Sequence, residues 1–588
     1  MTEKILGIDL GTTNSEVALY ENGTMTIIEG PDGKMLPSYV GLDDSDNLLV
    51  GGPAMNQFVL YPEKTIKSIK RLMGQTSPVP LGESSYLPQE ISAMILRHLK
   101  NIAETSLGYP VHKAVITVPA FFSDSQRQAT REAGQMAGLE VVKIINEPTA
   151  ATLVYESNHK GAKRVLVYDL GGGTFDVSVV ELQDDVIEVI ASHGNNNLGG
   201  DDFDALIEKL LMTQIEEDGF SDISRQAQAR IRRAAENAKK QLSNQPFALI
   251  EEEYLSERDG IPYNLSVELA RHEYEEMITP LLDETLDSVH LVLKDAGLTS
   301  SGIDEILLVG GSTRTPLLQQ RLEKVFGKAP RFELDPDLCV AAGAALQAAM
   351  ISGEEIRAVL VDVTPYTFGT SAIGEIDGEF SLNMFVPVIK KNSPIPVTRS
   401  ELFYTAADFQ HTVEIKVYQG EAKNALENIE VGSFLVEGLS ELPSKNEIIA
   451  KFSLDSNGIL QVSAIEKVTG LEKSITIDNV ITDENRDSLD QARDKIRQLF
   501  GEEEQENYTA ESIETGDSTS KNVGNSRKVQ AEALIDKARS LFDTAGDDDR
   551  EDMIDLIENI DQALVDDNEN LLLELMEELS EIIFYMES

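Results

Sequence analysis

Two stretches of this chain carry the same pattern. GIDLGTTNS (Gly7–Ser15) and VYDLGGGTFDVSVVEL (Val167–Leu182) each read as a strand, an Asp-Leu-Gly, a small turn rich in hydroxyls, and a second strand. Asp9 matches Asp169, Gly11 matches Gly171, and Thr13 falls near Thr174. Successive backbone N–H groups in such a turn converge on one point, an anion-binding nest. Thr12 and Thr13 add hydroxyl donors. An Asp at the strand end suits hydrated Mg2+, which takes one or two carboxylates plus phosphates. One copy alone is as readily an ordinary turn. Two copies predict a duplicated α/β domain with a cleft between halves, one loop from each gripping the same phosphates. Neither copy is a Walker A loop, and no GxGxxG follows a strand.

Residues 1–355 read as α/β throughout. The runs ILGID, AVITVPA, RVLVYDL and EILLVGG alternate with helical stretches such as SRQAQARIRRAAENAKKQL. Several runs are nearly all apolar, as strands covered on both faces are; SEVALY alternates like the hairpin partner of the first. Their carboxyl ends carry Asp or Gly, where open α/β sheets place ligand loops. ILLVGGSTRTP (Ile306–Pro316) is a third such junction. Gly310 and Gly311 allow close backbone approach to a sugar or base, and the planar guanidinium of Arg314 suits stacking on an adenine. By itself this motif would be a strand-to-helix turn, with Pro316 near the helix start.

After Ala358 the character changes. In HTVEIKVYQGE, Val413, Ile415 and Val417 alternate with Glu414 and Lys416, the mark of a half-buried strand. Asn457-Gly458 sits between two strand-like runs, a hairpin signal. An antiparallel sandwich is predicted to about Asp478. From Thr482, a plausible N-cap with acidic residues behind it, the chain reads as helical. A polar interruption spans about 501–525. Helical spacing returns with Leu534, Ile535, Ala538, Leu541 and Phe542. It continues through Met553, Ile554, Ile557, Ile560 and Leu564 and into NLLLELMEELSEIIFYM. Such stripes are far more often bundle core than cofactor box.

Composition closes off several functions. With 50 Lys plus Arg against 102 Asp plus Glu, the net charge is −52. Nucleic-acid binding and adhesion to anionic membranes both need a positive patch, so neither is expected. Cys339 is the single cysteine and the seven His are scattered, which disfavours a disulfide or a structural zinc site and suggests a reducing compartment. MTEKILGID lacks the pattern of a secretory signal, and AVITVPAFF is too short to span a bilayer.

The colinear series GIDLGTTNS, IKRLMG, AVITVPAFF, IINEPTAA, DLGGGTFD, LGGDDFD, VGGSTRTP, VDVTP, YTAAD, YQGE and NGILQVSA resembles the seventy-kilodalton heat-shock chaperone family, of the DnaK type, over essentially the whole chain. The phosphate loops are shared with actin and sugar kinases; the linker and sandwich are not. The resemblance implies a multidomain chain: an actin-like α/β ATPase domain (1–355), an interdomain linker (356–363), an antiparallel β-sandwich that binds peptides (364–480) and an α-helical lid (481–588). It implies a slow ATPase that binds and releases extended hydrophobic segments of unfolded proteins in the cytoplasm. The implied cofactors are ATP or ADP and Mg2+, with K+ as a further candidate. The implied partners are unfolded polypeptides, a J-domain co-chaperone and a GrpE-type exchange factor.

By matched motif, Lys70 corresponds to the catalytic lysine near the γ-phosphate, with Glu147, Asp169 and Thr174 as the other catalytic residues. Asp9 and Asp169 correspond to the metal-binding pair. Gly11, Thr12, Thr13 and Asn14 form the first phosphate loop, and Gly171, Gly172 and Gly173 the second. Glu236, Lys239 and Ser243 are expected around the adenosine, with Gly310, Gly311, Ser312 and Arg314 opposite. Pro119 and Arg127 resemble the relay to the linker residues Val359, Leu360, Val361 and Asp362. Ile373, Phe403, Ala406, Val413, Ile415 and Ile459 are expected to line the peptide groove.

Each assignment has a plainer alternative. Lys64, Lys67 and Lys70, three apart, would form a solvated basic helix face. Glu147 before Pro148 would be a turn, and Glu236 with Lys239 a surface helix pair. Cys339 reads as a small packed residue. Val413 and Ile415 would be sandwich core. The chain also departs from the family pattern. The segment between Gly74 and Ser92 is short, and GNNNLGG places Asn195 and Asn196 where an Asp and a Thr are usual. Tyr404 is bulky for its position, and FYMES lacks an acidic Glu-Glu-Val-Asp tail. A specialised paralogue of the HscC kind with few clients and an actin-like small-molecule kinase are the alternative functions.

Overall fold

The computed structural model describes residues 4–501, except 22, 159–160, 184–185, 221–222, 259–260, 333–334, 355, 357, 443–444, 457 and 478–482, together with 556, 557, 560 and 575. Residues 1–503 form one compact unit and 504–588 a second. In the second, Ile557 and Ile560 are helical and buried. The other stripe residues predicted there, and Thr482, lie outside the described residues.

The duplication read from the two loops is present in the sheets. In the first half, Ile5–Asp9 pairs in parallel with Lys113–Val118 and antiparallel with Asn14–Glu21. In the second, Lys163–Leu170 pairs in parallel with Glu305–Val309 and antiparallel with Phe175–Gln183. Each repeated loop is thus the tight connection between a central strand and its antiparallel neighbour. The first half forms a six-stranded sheet, and the second contributes four strands to a six-stranded sheet completed by Val359–Val363 and Pro394–Ile395. Val165–Tyr168 are fully buried, as the unbroken apolar run requires. Asn14–Glu21 was expected to alternate in burial; instead Ser15–Leu19 are all buried, because the Ala-rich helix Cys339–Ile351 packs on this strand. Cys339 is itself buried, the packed residue expected.

The segment read as a linker is itself a strand. Val359–Val363 adds to the edge of the second sheet, with Val359, Leu360 and Val361 paired in parallel with Val186, Ile187 and Glu188. Its last two residues, Asp362 and Val363, pair antiparallel with Ile395 and Pro394 of the following domain. One strand therefore carries backbone hydrogen bonds to both domains.

The predicted sandwich consists of two four-stranded sheets. One contains Glu379–Ile389, Phe368–Ile376, Thr412–Gln419 and Ile429–Glu437; the other contains Val397–Tyr404, Glu447–Leu454, Leu460–Glu466 and Glu472–Ile477. Their inner faces meet at Ile415, Val417, Val436, Phe452 and Val462. A helix follows at Asp483–Leu499. Its Ile496 is buried in the core of the first half, flanked by Ala492, Leu499 and Phe500, and Lys495 Nζ lies 3.9 Å from the centre of the Tyr86 ring. No helix of the described residues is long and apolar enough to cross a membrane.

Candidate active site

The two loops, the third junction and the helix Arg225–Asn244 surround a cleft of about 360 Å³. Asp9, Gly11, Thr12, Thr13 and Asn14 face it from the first loop, and Asp169, Gly171, Gly172 and Thr174 from the second. Lys70, Glu147, Glu236, Lys239, Ser243, Gly310, Gly311, Ser312 and Arg314 complete the predicted set; Gly173 lies behind the lining. Residues from both halves of the duplicated domain meet here, as the duplication predicts.

Several loop glycines have no room for a side chain. A Cβ on Gly172 would fall 2.0 Å from Thr13 Oγ1, across the two halves. Gly310 has φ +81°, and a Cβ there would lie 2.5 Å from Leu170 O. Ser312 donates to Gly171 O at 2.8 Å, and Arg71 donates to Gly173 O at 3.1 Å and to Asp202 at 2.6 Å.

Lys70 stands on a one-turn helix, Ile69–Leu72, and is only 3% exposed, which removes the solvated basic face as its explanation. Its Nζ donates to the carboxylate of Glu147, the first residue of the helix Glu147–Asn158. Burial alone would lower the Lys70 amine, but the carboxylates of Glu147 and Asp9 outweigh it and hold it above its ordinary value. Burial pushes Glu147 up to about 7 against the pull of Lys70. Asp169 is raised well above the usual carboxylate range by burial, with Glu147, Asp176 and Asp9 adding to it. Asp9, also raised by burial, accepts a 2.6 Å hydrogen bond from Thr117.

At the other end of the cleft, Lys239 donates to Asp204 at 2.8 Å and to Gly200 O at 3.0 Å. Glu236 pairs with Lys240 at 2.7 Å rather than with Lys239. Arg314 forks to Asp335 at 2.7 Å and Asp337 at 3.0 Å. Asp204 Oδ1 is buried without a hydrogen-bond partner. Sequence reasoning missed Glu16, Asp204 and Asp337 as lining residues. Glu16 was legible only through strand register, because it lies directly opposite Asp9.

The donor set fits a nucleotide with a divalent cation. The glycine loops bring their backbone to the edge of the cleft, and Asp204 Oδ1 is an acceptor that no protein donor uses. Asp9, Glu16, Glu147 and Asp169 face the cleft beside Lys70, so anionic phosphates need added positive charge to enter. Among the described residues, no three His, Cys, Asp or Glu side chains cage an ion by themselves. That suits Mg2+, which keeps waters and shares its shell with phosphates.

The relay residues lead away from the cleft. Arg127 donates to Ala120 O at 3.0 Å and to Asn146 Oδ1 at 2.6 Å. Asn146 in turn donates to Asp362 at 2.8 Å, and Thr149 donates to Asp362 at 3.2 Å. Pro119 closes the adjoining turn, its carbonyl accepting from Phe122 N. Asn146, Thr149 and Tyr366, whose hydroxyl donates to Phe121 O at 2.7 Å, were not singled out by sequence. The unusual Asn196 donates to that same Phe121 carbonyl at 2.7 Å and to Gln126 at 3.2 Å. Asn195 donates to Glu284 at 2.6 Å.

The six groove residues divide. Ile373 and Ala406 are exposed, and Phe403, Val413 and Ile459 are half-buried. Ile415 is 4% exposed within the sandwich core. Tyr404 is exposed, as are Phe380, Leu382 and Leu435 on the same domain.

Comparison with known proteins agrees with this architecture. The family model described as Hsp70 protein matches residues 5–83 and 77–586. Proteins named Chaperone protein DnaK from Thermotoga petrophila, Thermotoga maritima and Thermotoga neapolitana are each 44% identical over 523 residues, covering 87% of this chain and 86% of theirs. The duplicated phosphate loops, the linker strand and the sandwich thus occur together in a chain that belongs to the Hsp70 family.

Proposed function

We propose that this chain is an ATP-driven chaperone that binds extended hydrophobic segments of unfolded proteins and releases them under control of ATP hydrolysis. The observation that carries this reading is the path from Glu147 through its neighbour Asn146 to Asp362, on a strand shared by the ATPase domain and the sandwich. A small-molecule kinase needs no such connection to a peptide clamp.

In this reading the loop N–H groups from Gly11 to Asn14 and from Gly171 to Gly173 bind the phosphates. Glu236, Lys239 and Ser243 hold the adenosine, with Gly310, Gly311, Ser312 and Arg314 opposite. Asp9 and Asp169 would hold Mg2+, which would supply charge neutralisation. Lys70 offsets charge on the γ-phosphate. Thr174 and the carboxylates of Glu147 and Asp169 orient the attacking water. Its oxygen bonds to the γ-phosphorus as the bond to the β-phosphate oxygen breaks, and its proton passes to a neighbouring carboxylate. Such chemistry is mostly positioning and electrostatics.

Extended peptides would add along the sandwich through backbone hydrogen bonds, with an apolar pocket near Val413. A J-domain partner would stimulate hydrolysis and a GrpE-type factor would exchange nucleotide, in the cytoplasm. Tyr404 and the Asn195–Asn196 departure favour, as a second reading, a specialised member of the HscC kind with a narrow client set. The test is steady-state ATPase turnover with and without a panel of extended hydrophobic peptides. Stimulation by many peptides supports the general chaperone and stimulation by few the specialised one. No stimulation, together with a phosphorylated small-molecule product, would return the kinase.

A further inference from the structure

The carbonyls of the second repeated loop are held one by one. Gly171 O accepts from Gly200 N at 3.0 Å and from Ser312 Oγ at 2.8 Å, and Gly172 O accepts from Asp201 N at 2.7 Å. These donors all belong to the second half of the duplicated domain. Gly173 O is held from the first half instead, by Arg71 Nε at 3.1 Å. The same guanidinium donates through Nη2 to Asp202 Oδ2 at 2.6 Å. That oxygen also accepts from Gly199 N at 2.8 Å, so Asp202 is fixed within its own half. Three residues before Arg71, Ser68 Oγ donates to Asp201 Oδ2 at 2.7 Å. One short segment of the first half is thus tied to two adjacent acids and a loop carbonyl of the second. The seam has little slack: a Cβ on Gly173 would lie 2.9 Å from Arg71 Cγ and 2.6 Å from Thr12 Cγ2. Arg71 stands behind the cleft lining, its side chain 21% exposed.

We propose that Arg71 is a positioning residue for the nucleotide reaction: it holds the second loop in place and, with Ser68, clasps the two halves together so that nucleotide leaves slowly. A hydrogen bond from guanidinium to carboxylate is charge-assisted and stronger than a neutral one, and the planar fork fixes direction as well as distance. Lys70, the neighbour of Arg71, bonds to Glu147 within the first half, so that pair survives when the halves part. The bonds of Ser68 and Arg71 span the halves and must break for the cleft to open. Product release in many enzymes waits on such an opening. Arg71 acts through Gly173 and Asp202 and takes no part in breaking the phosphate bond.

This inference rests on the nucleotide-binding reading above, and the experiment separates the two. Release of a fluorescent ADP analogue, chased with unlabelled ADP in Mg2+, is followed by stopped flow for the full-length wild type, Arg71→Ala, Arg71→Lys and Asp202→Asn. Single-turnover hydrolysis of bound ATP is measured beside it. Arg71→Ala is expected to release the analogue about 10-fold to 100-fold faster, the scale of losing hydrogen bonds to a charged group, with hydrolysis changed by less. Arg71→Lys keeps the charge facing Asp202 without the fork and should recover part of the loss, which a mere repacking defect would not. Asp202→Asn can still accept from Gly199 N and should also speed release; it carries the test alone if Arg71→Ala does not fold. Release at the wild-type rate in Arg71→Ala and Asp202→Asn overturns the clasp, as does the absence of any recovery in Arg71→Lys. Slow hydrolysis with unchanged release also overturns it and makes Arg71 a support for Lys70. A wild type that does not bind the analogue overturns both the clasp and the nucleotide reading.

Discussion

Asn146 donates to Asp362 Oδ2 at 2.8 Å, so the residue immediately before Glu147 in the cleft holds the carboxylate of the linker strand. Asp362 is half-buried, and burial raises its pKa against the N–H of Val363, Arg127 and Asn146, which favour its ionised form. Asp362→Asn keeps the shape and removes the charge that Arg127 faces. Basal ATPase should persist while stimulation by peptide or a J-domain partner is lost, measured as the ratio of stimulated to basal turnover. Full stimulation in the variant would remove the linker from the coupling.

Lys70→Ala leaves the phosphate loops intact. ATP affinity is expected to hold while single-turnover hydrolysis slows about 10²–10³-fold, the scale of losing one preorganised electrostatic donor. The fold should survive, because burial already places Glu147 at about 7 and lets it take up a proton when its partner is gone. Hydrolysis at the wild-type rate would strip Lys70 of its role.

Val413 and Ile415 belong to one strand but should respond differently. Ile415→Ala opens a cavity in the sandwich core and is expected to cost about 2–5 kcal/mol, seen as a lower thermal midpoint. Val413 is half-buried, so Val413→Phe should weaken binding of a labelled Leu-rich peptide with the midpoint almost unchanged. Strong destabilisation by Val413→Phe would place that residue in the core as well.

His193 gives the contact between the domains a pH dependence. Its ring lies 5.2 Å from Phe121, which lies 4.7 Å from Tyr366. Beside it Lys391 pairs with Asp295 at 2.9 Å, and Asn392 accepts from Ser192 N. Burial lowers the His193 pKa from 6.5, Lys391 lowers it further, and Asp295 opposes them. A depressed histidine pKa favours the docked arrangement above the undocked value, and this contribution fades as pH falls through the docked one. Protection of the linker from protease should therefore drop below about pH 6.5, and less so in His193→Gln. Identical pH profiles for the two proteins would contradict this.

The sequence carried the parts of the site that lie within single motifs. The repeated Asp-Leu-Gly turns announced two matched loops facing one cleft, because a strand-turn-strand pattern that occurs twice implies two matched halves. What it could not carry were contacts between residues that no local pattern links. Glu16 sits within an apolar strand, and its place in the cleft follows only from register with Asp9. Asn146 and Asp362 are 216 residues apart. Lys70 looked like one of three surface lysines because its partner Glu147 lies 77 residues further along the chain. Ile415 and Val413 share one alternating pattern, yet only the packing of the second sheet decides that Ile415 is core.

The central claim is that nucleotide in the cleft governs the grip of the sandwich on its peptide. Its most direct test is the dissociation rate of a labelled extended peptide from the unmutated chain, measured in ATP and in ADP. Faster release in ATP is predicted, with the difference abolished by Asp362→Asn. Equal rates in the two nucleotides would contradict the account and leave a static peptide binder.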